Sequence, residues 1–172
     1  AVISLSAIAY SESVRVAGDE MNEAVQRYVR DNYQLLIGEN MSERAKMQIG
    51  SADQLDETLY TTVGGRSLIN GNPKSITISD EEIRYAIREP VETIVLAVKK
   101  ALEKTPPELV ADIADSGLLL AGGGALLKGL DKRIMREAEL SVIVDEEPLT
   151  TVLRGTGATL HDEKQYRQVY IN

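Results

Sequence analysis

Leu118-Leu119-Leu120-Ala121-Gly122-Gly123-Gly124-Ala125-Leu126-Leu127-Lys128-Gly129-Leu130 is the stretch whose pattern decides the fold. Its first four residues form a short continuous apolar run, as expected of a strand covered on both faces. Three glycines follow at once, and an apolar segment then leads into a helical pattern near 131–139. A strand that turns through glycines into a helix lets the backbone approach a ligand and points N–H groups at it. The spacing fails two familiar phosphate signatures. The dinucleotide pattern wants a third glycine where Leu127 stands. The P-loop wants Gly-Lys-Ser/Thr, but Lys128 precedes Gly129 and no hydroxyl follows. From spacing alone the triplet reads as a tight turn or as a nucleotide contact.

Working outward, the strand Val142-Ile143-Val144 follows the helix near 131–139, and Pro148 is expected to open a last helix. Before the triplet, Thr105-Pro106-Pro107-Glu108 reads as a helix cap with Pro at the first helical position and Glu at N3. That helix should run to about Asp115. Ser79 and Glu82 form a capping box ahead of the long apolar stripe Ile83, Ala86, Ile87, Val91, Ile94, Val95, Val98 and Leu102. Pro90 either kinks this helix or restarts it. Met21, Ala24, Val25, Tyr28 and Val29 place one apolar stripe on a helix near 19–34. Asn40, with Glu43 three residues on, should cap a helix that ends at Gly50. Between them and Ser79, alternating Leu59, Thr61, Val63 and Ile76, Ile78 suggest a small strand-containing insertion. Gly64-Gly65 and Asn70-Gly71-Asn72-Pro73 are its expected turns. The chain opens with two expected strands, Val2 to Leu5 and Ile8 to Val16. Strands alternating with helices give an α/β fold.

Composition narrows the chemistry. The 172 residues contain no Cys, Trp or Phe and one His. Disulfides, thiolate nucleophiles and Cys-based metal sites are therefore excluded. A Ser–His–Asp triad would rest on His161, which lies in the polar segment His161-Asp162-Glu163-Lys164-Gln165, whereas catalytic bases need shelter. All seven aromatic rings are tyrosines, which disfavours a base-stacking platform. The net charge of −8 opposes binding to nucleic acid or to anionic lipid. No stretch approaches the length of an apolar membrane span. Glu43 and Lys46 lie one helical turn apart and read most simply as an exposed pair. Asp19 reads as a first-turn acid favoured by the helix dipole. The run Asp145-Glu146-Glu147 reads as a solvated loop rather than a metal site.

Several stretches together resemble the MreB family of bacterial actin homologues, the rod shape-determining proteins. They are Ala1 to Leu5, Ser13 to Met21, Leu36 to Glu39, Ile49 to Ala52, Leu102 to Leu109, Gly122 to Asp131 and Glu147 to Thr150. They stand in family order and cover nearly the whole chain. The resemblance implies an actin-like, ribonuclease H-like α/β half with a small α+β insertion. Residues 1–17 and 89–172 would form subdomain IIA, and residues 18–88 subdomain IIB. In this family ATP, carried with Mg²⁺, lies in the cleft between two halves of the subunit. By resemblance, Gly122, Gly123, Gly124, Ala125 and Leu126 would border the adenosine and the neighbouring phosphate. Glu43, Arg44, Ala45 and Lys46 would line the adenine and ribose side, with Gly18 and Asp19 near the ribose. Met41-Ser42 stand where relatives usually carry Thr-Ala before the residue matching Glu43.

The resemblance also implies partners. The chain would belong to a cytoskeletal filament that assembles head to tail with copies of itself and packs on an N-terminal half of the same protein. The filament would lie at the inner face of the cytoplasmic membrane and organise the cell-wall synthesis machinery. This stretch itself should touch neither lipid nor nucleic acid. The phosphate loops and the residue that positions the attacking water belong to parts of the fold outside these residues. The chain by itself should therefore show no significant ATPase activity and weak ATP affinity at most. No catalytic residue and no metal ligand is assigned within it. The alternatives are half of another actin-superfamily ATPase, a chaperone or a sugar kinase, or a short module that caps filaments.

Overall fold

The computed structural model describes residues 1–5 and 7–161. Asp162 to Gln165, and with them the rest of the 89–172 segment beyond His161, lie outside the described residues.

The apolar stripe after Gly18 forms α1 (Gly18–Tyr33), which buries Met21, Ala24, Val25 and Val29. Its acidic first turn suits the positive end of the helix dipole, and the Glu20 carboxylate accepts the Ala17 N–H at 2.9 Å. The strand β3 (Leu35–Leu36) leads into α2 (Glu39–Ile49). The cap of α2 is Gly38 rather than Asn40, because the Gly38 carbonyl takes the Met41 and Ser42 N–H groups. Ser42 then turns its hydroxyl back onto the Glu39 carbonyl at 2.8 Å. Gly50 ends the helix as expected.

The insertion is a hairpin of β4 (Tyr60–Ser67) and β5 (Pro73–Ser79), paired from Tyr60 with Ser79 to Arg66 with Pro73. β3 joins its outer edge through Leu35 and Ser67. The turn falls at Asn70-Gly71-Asn72, where Gly71 takes a φ of +76°. Gly64-Gly65 is not a turn but lies inside β4. A side chain on Gly65 would stand 2.1 Å from the Leu36 carbonyl oxygen, so this glycine lets β3 lie close against β4.

The Ser79–Glu82 box caps α3 (Asp80–Ala86) through bonds in both directions. The long stripe breaks at Ile87 and restarts as α4 (Arg88–Glu103), with Pro90 in the first turn, where a missing N–H costs nothing. α5 (Pro107–Ser116) is capped by Pro106 without side-chain help. Thr105 instead donates to the Ala101 carbonyl at 2.6 Å. β6 (Leu118–Leu120) pairs in parallel with β7 (Val142–Val144), and α6 (Leu130–Ala138) crosses between them. α7 (Thr151–His161) starts three residues after Pro148, whose carbonyl is occupied by the Gly122 N–H at 2.7 Å. At the start of the chain, β1 (Val2–Ser4) pairs antiparallel with β2 (Ala7–Tyr10). The alternation of Val14 and Val16 gives no strand. Val14 instead lines an apolar groove with Ile94, Leu102 and Leu118.

One core joins α1 through α4, α6, and β3 through β7. It runs from Val25, Val29 and Leu35 through Val63, Ile78 and Ile83 to Ile87, Val91 and Val95, and ends on Leu130 and Ile134 of α6. Leu118 and Leu120 pack against it, but Leu119 is 63% exposed. The apolar run of β6 is thus covered on one face, not on both.

Candidate functional site

Two of the three segments singled out by sequence meet at the last turn of α2, and the third reaches the same end of that helix through Lys128. The Lys46 ammonium donates to the Gly18 carbonyl at 3.0 Å rather than to the Glu43 carboxylate. This ties the last turn of α2 to the first turn of α1. Burial pushes the Lys46 pKa down from its ordinary value, and the carboxylates of Glu43 and Asp19 oppose that push. A half-buried cation held beside two exposed carboxylates is suited to polar ligand groups. Arg44 is exposed and reaches back to the Met41 sulfur at 3.1 Å. Ala45 is buried in the core, so its side chain packs and does not line the surface.

The third segment is the glycine turn. Gly122 adopts a φ of +80° and opens a short 3-10 turn over Gly123–Leu126. The left-handed backbone at Gly122 is the reason for glycine there. The next two glycines have a different explanation. A side chain built on Gly124 would meet nothing within 4 Å, and one on Gly123 only the Leu149 methyl at 3.6 Å. The chain's own packing therefore demands glycine at neither position. Both are exposed, beside an exposed Leu126 and a buried Ala125. The turn presents open backbone, the form that a flat or charged group can approach closely.

The turn continues into the end of α2. The Lys128 carbonyl accepts the Ala52 N–H at 2.7 Å, and the Lys128 ammonium donates to the Gln48 carbonyl. These contacts escaped the sequence reading, in which Lys128 mattered only because it broke the P-loop spacing. No local signal links positions 48 and 128. The acidic run is also more structured than a solvated loop. Asp145 accepts from the Glu147 N–H, Arg154 and Thr151, which together hold its carboxyl below the usual range. His161 is exposed at the end of α7. Among the described residues no three acidic or imidazole side chains cluster around a metal-sized gap, and no helix is long and apolar enough to cross a membrane.

The family model for MreB/Mbl proteins matches residues 1–168. The chain belongs to the MreB/Mbl family. It is 50% identical over 160 residues to the cell shape-determining protein MreB of Escherichia coli K12, covering 93% of this chain and 46% of that protein. It is 41% identical over 160 residues to the cell shape-determining protein Mbl of Bacillus subtilis 168, covering 93% of this chain and 48% of that one. The chain thus spans about half the length of the curated relatives it matches. Among solved structures it superposes on MreB5 of Spiroplasma citri bound to ADP with a TM-score of 0.91. That match has 32% identity and covers 96% of this chain and 50% of that one. The same protein bound to AMPPNP gives 0.90. A MamK double helical filament, at 19% identity and a TM-score of 0.74, shares the fold. The actin-like α/β architecture is therefore established, and MreB/Mbl membership sets aside the chaperone and sugar-kinase alternatives.

Proposed function

We propose that this chain supplies the adenosine wall of the ATP site in an MreB-type filament subunit that governs cell shape. Gly123, Gly124 and Leu126 would border the nucleoside, with Ala125 buried behind them and Gly122 shaping the turn. Glu43, Arg44 and Lys46 would line its other side, with Gly18 and Asp19 near the ribose. Ala45 would support that wall from the core. The observation that carries this reading is the open face of the turn: glycines that no intramolecular contact requires, on a fold shared with a relative solved with ADP and with AMPPNP.

ATP, when bound, would bridge the two halves of the subunit and stabilise the conformation that polymerises, and hydrolysis would weaken it. Mg²⁺ would arrive with the phosphates, and no residue of this chain is assigned to it. Phosphoryl transfer depends on positioning and charge stabilisation, and the groups discussed here act on the nucleoside. Residues 1–17 and 89–172 would act as subdomain IIA and residues 18–88 as IIB. The subunit would assemble head to tail, a heterologous contact that gives open filaments. It would work in the cytoplasm at the inner face of the membrane, with the cell-wall synthesis machinery as partner.

The test is nucleotide titration with a fluorescent ATP analogue, on the protein carrying this chain with the other half of the fold present. Gly124→Val fills space that the protein leaves open, so folding should hold. Affinity should fall by about tenfold or more through steric loss of close approach. Unchanged affinity would overturn the reading.

A further inference from the structure

The seam between the glycine turn and α2 holds contacts that the proposed function leaves unused. Lys128 stands two residues beyond Leu126 and holds both the end of α2 and the segment that follows it. Its ammonium donates to the Gln48 carbonyl in the last turn of the helix. Its carbonyl accepts the Ala52 N–H, and Ser51 pairs beside it as a parallel bridge. An ammonium at a helix C-terminus also meets the negative end of the helix dipole. Next to it, Gly129 takes a φ of +72°, and a side chain there would stand 3.1 Å from the Asp53 Cβ. The backbone of Lys128 and Gly129 is therefore held against residues 51–53, which sets where the Lys128 side chain starts. Two residues before Gln48 on the same helix, Lys46 holds Gly18. The chain of contacts runs unbroken from the glycine turn through Lys128 and α2 to the first turn of α1.

We propose that Lys128 is a positioning residue of the nucleotide site, setting the spacing between the glycine turn and the α2 wall without touching the ligand. The proposal rests on the reading of the turn as a nucleotide contact. Removing the ammonium leaves the Ala52–Lys128 backbone bond in place, so the seam persists while α2 gains freedom at its end. A site whose walls drift by a fraction of an ångström loses affinity although every contacting residue remains.

The test compares Lys128→Met, Lys128→Arg and Gly124→Val with the parent protein, again with the other half of the fold present. Fluorescent ATP-analogue affinity and thermal unfolding are read together. Lys128→Met should weaken binding about tenfold, as when the binding-competent spacing falls to about a tenth of the population. Tm should move by a few degrees at most, and Lys128→Arg should restore most of the affinity. Parent-like affinity in Lys128→Met, with binding lost in Gly124→Val, overturns the role of Lys128 alone. Parent-like affinity in both overturns the nucleotide reading beneath it. Weakened binding that Arg fails to restore, with a large fall in Tm, marks Lys128 as a purely structural tie and also overturns the proposal. If Lys128→Met does not fold, Lys128→Gln is judged by the same criteria.

Discussion

Residues 18–87 and the elements that flank them use similar apolar side chains and bury them very differently. In the first region Val25, Val29, Leu35, Val63, Ile83 and Ile87 are sealed from solvent. α1, α2, α3 and the hairpin close around them. Among the described residues of the second region, the core's buried members are Val91, Val95, Leu130 and Ile134, with Leu118, Leu120 and Val142 partly buried against them. α5 and α7 bury no side chain fully. Leu119 and Ile143, neighbours in the β6–β7 register, both face outward, as do Val152 and Leu153 of α7. The hairpin region has the means to hold its own shape. The flanking layer depends on α4 and α6 to anchor it. The proposed ligand surfaces fall one in each region, at Lys46 in the first and at the glycine turn in the second, so a well-buried body would carry one wall and a less buried layer the other.

The sharpest way to break this comparison is to open a cavity on each side. Ile83→Ala should cost about 3–4 kcal/mol, because a sealed site cannot collapse around the loss. Ile143→Ala, 55% exposed at the start, should cost less than about 1 kcal/mol on area lost alone. Urea unfolding of both variants reads the difference directly. Equal costs would mean that the flanking layer is as tightly packed as the hairpin region.

A second test concerns the polar tie inside the hairpin region. The Glu82 carboxylate accepts from the hydroxyls of Tyr33 and Tyr28 and from Ser79, joining α3 to α1. Burial raises the Glu82 pKa, but these donors outweigh it and leave the group below its ordinary value of 4.5. The same bond, with burial, pushes Tyr33 up from 10.0 to about 12. Glu82→Ala should cost about 2–3 kcal/mol, since it removes charge-assisted bonds from half-buried hydroxyls. The pH dependence has a sign at each end. A depressed carboxyl contributes stability that is full above 4.5 and fades as pH falls through its folded value. A raised phenol contributes stability that is full below 10.0 and fades as pH rises toward about 12. Chemical unfolding across pH should show both losses in the parent, and Glu82→Ala should flatten both. A profile that Glu82→Ala leaves unchanged would remove this tie from the account.

How much of this was legible in the sequence follows the range of the forces involved. The Ser79–Glu82 box is local and stands as read, and of the two readings of Pro90 the restart is the one found. The stripe of α1 and the turn at Gly71 also stand as read. Caps one or two residues away slipped, because Gly38 and Pro106 act through backbone and carry no side-chain signature. Gly64-Gly65 misled for a reason that is not local at all: the glycine answers to Leu36, on another strand. The run at Leu118 predicted cover on two faces, but what covers a strand is decided by elements distant in sequence. The site divided in the same way. Residue types and family order pointed to the turn and to α2, while the Lys46–Gly18 and Lys128–Gln48 bonds that join them span 28 and 80 positions. Nothing in local spacing encodes them.

The smallest expected effect is at Leu119. The side chain stands 63% exposed on β6, directly opposite Ile143 on the same outward face. Leu119→Thr keeps a strand-favouring residue and removes apolar surface that water already reaches. Its effect on stability should stay within about 0.5 kcal/mol, as for most exposed substitutions. Solubility should rise, because adjacent apolar side chains on an open sheet face favour association. Unfolding midpoints at two protein concentrations separate the possibilities. A loss above about 1.5 kcal/mol that grows with concentration would show this face to be covered by a second molecule in solution, since only association makes stability depend on concentration. The flanking layer would then be completed from outside, and the contrast with the hairpin region would be one of assembly rather than of packing.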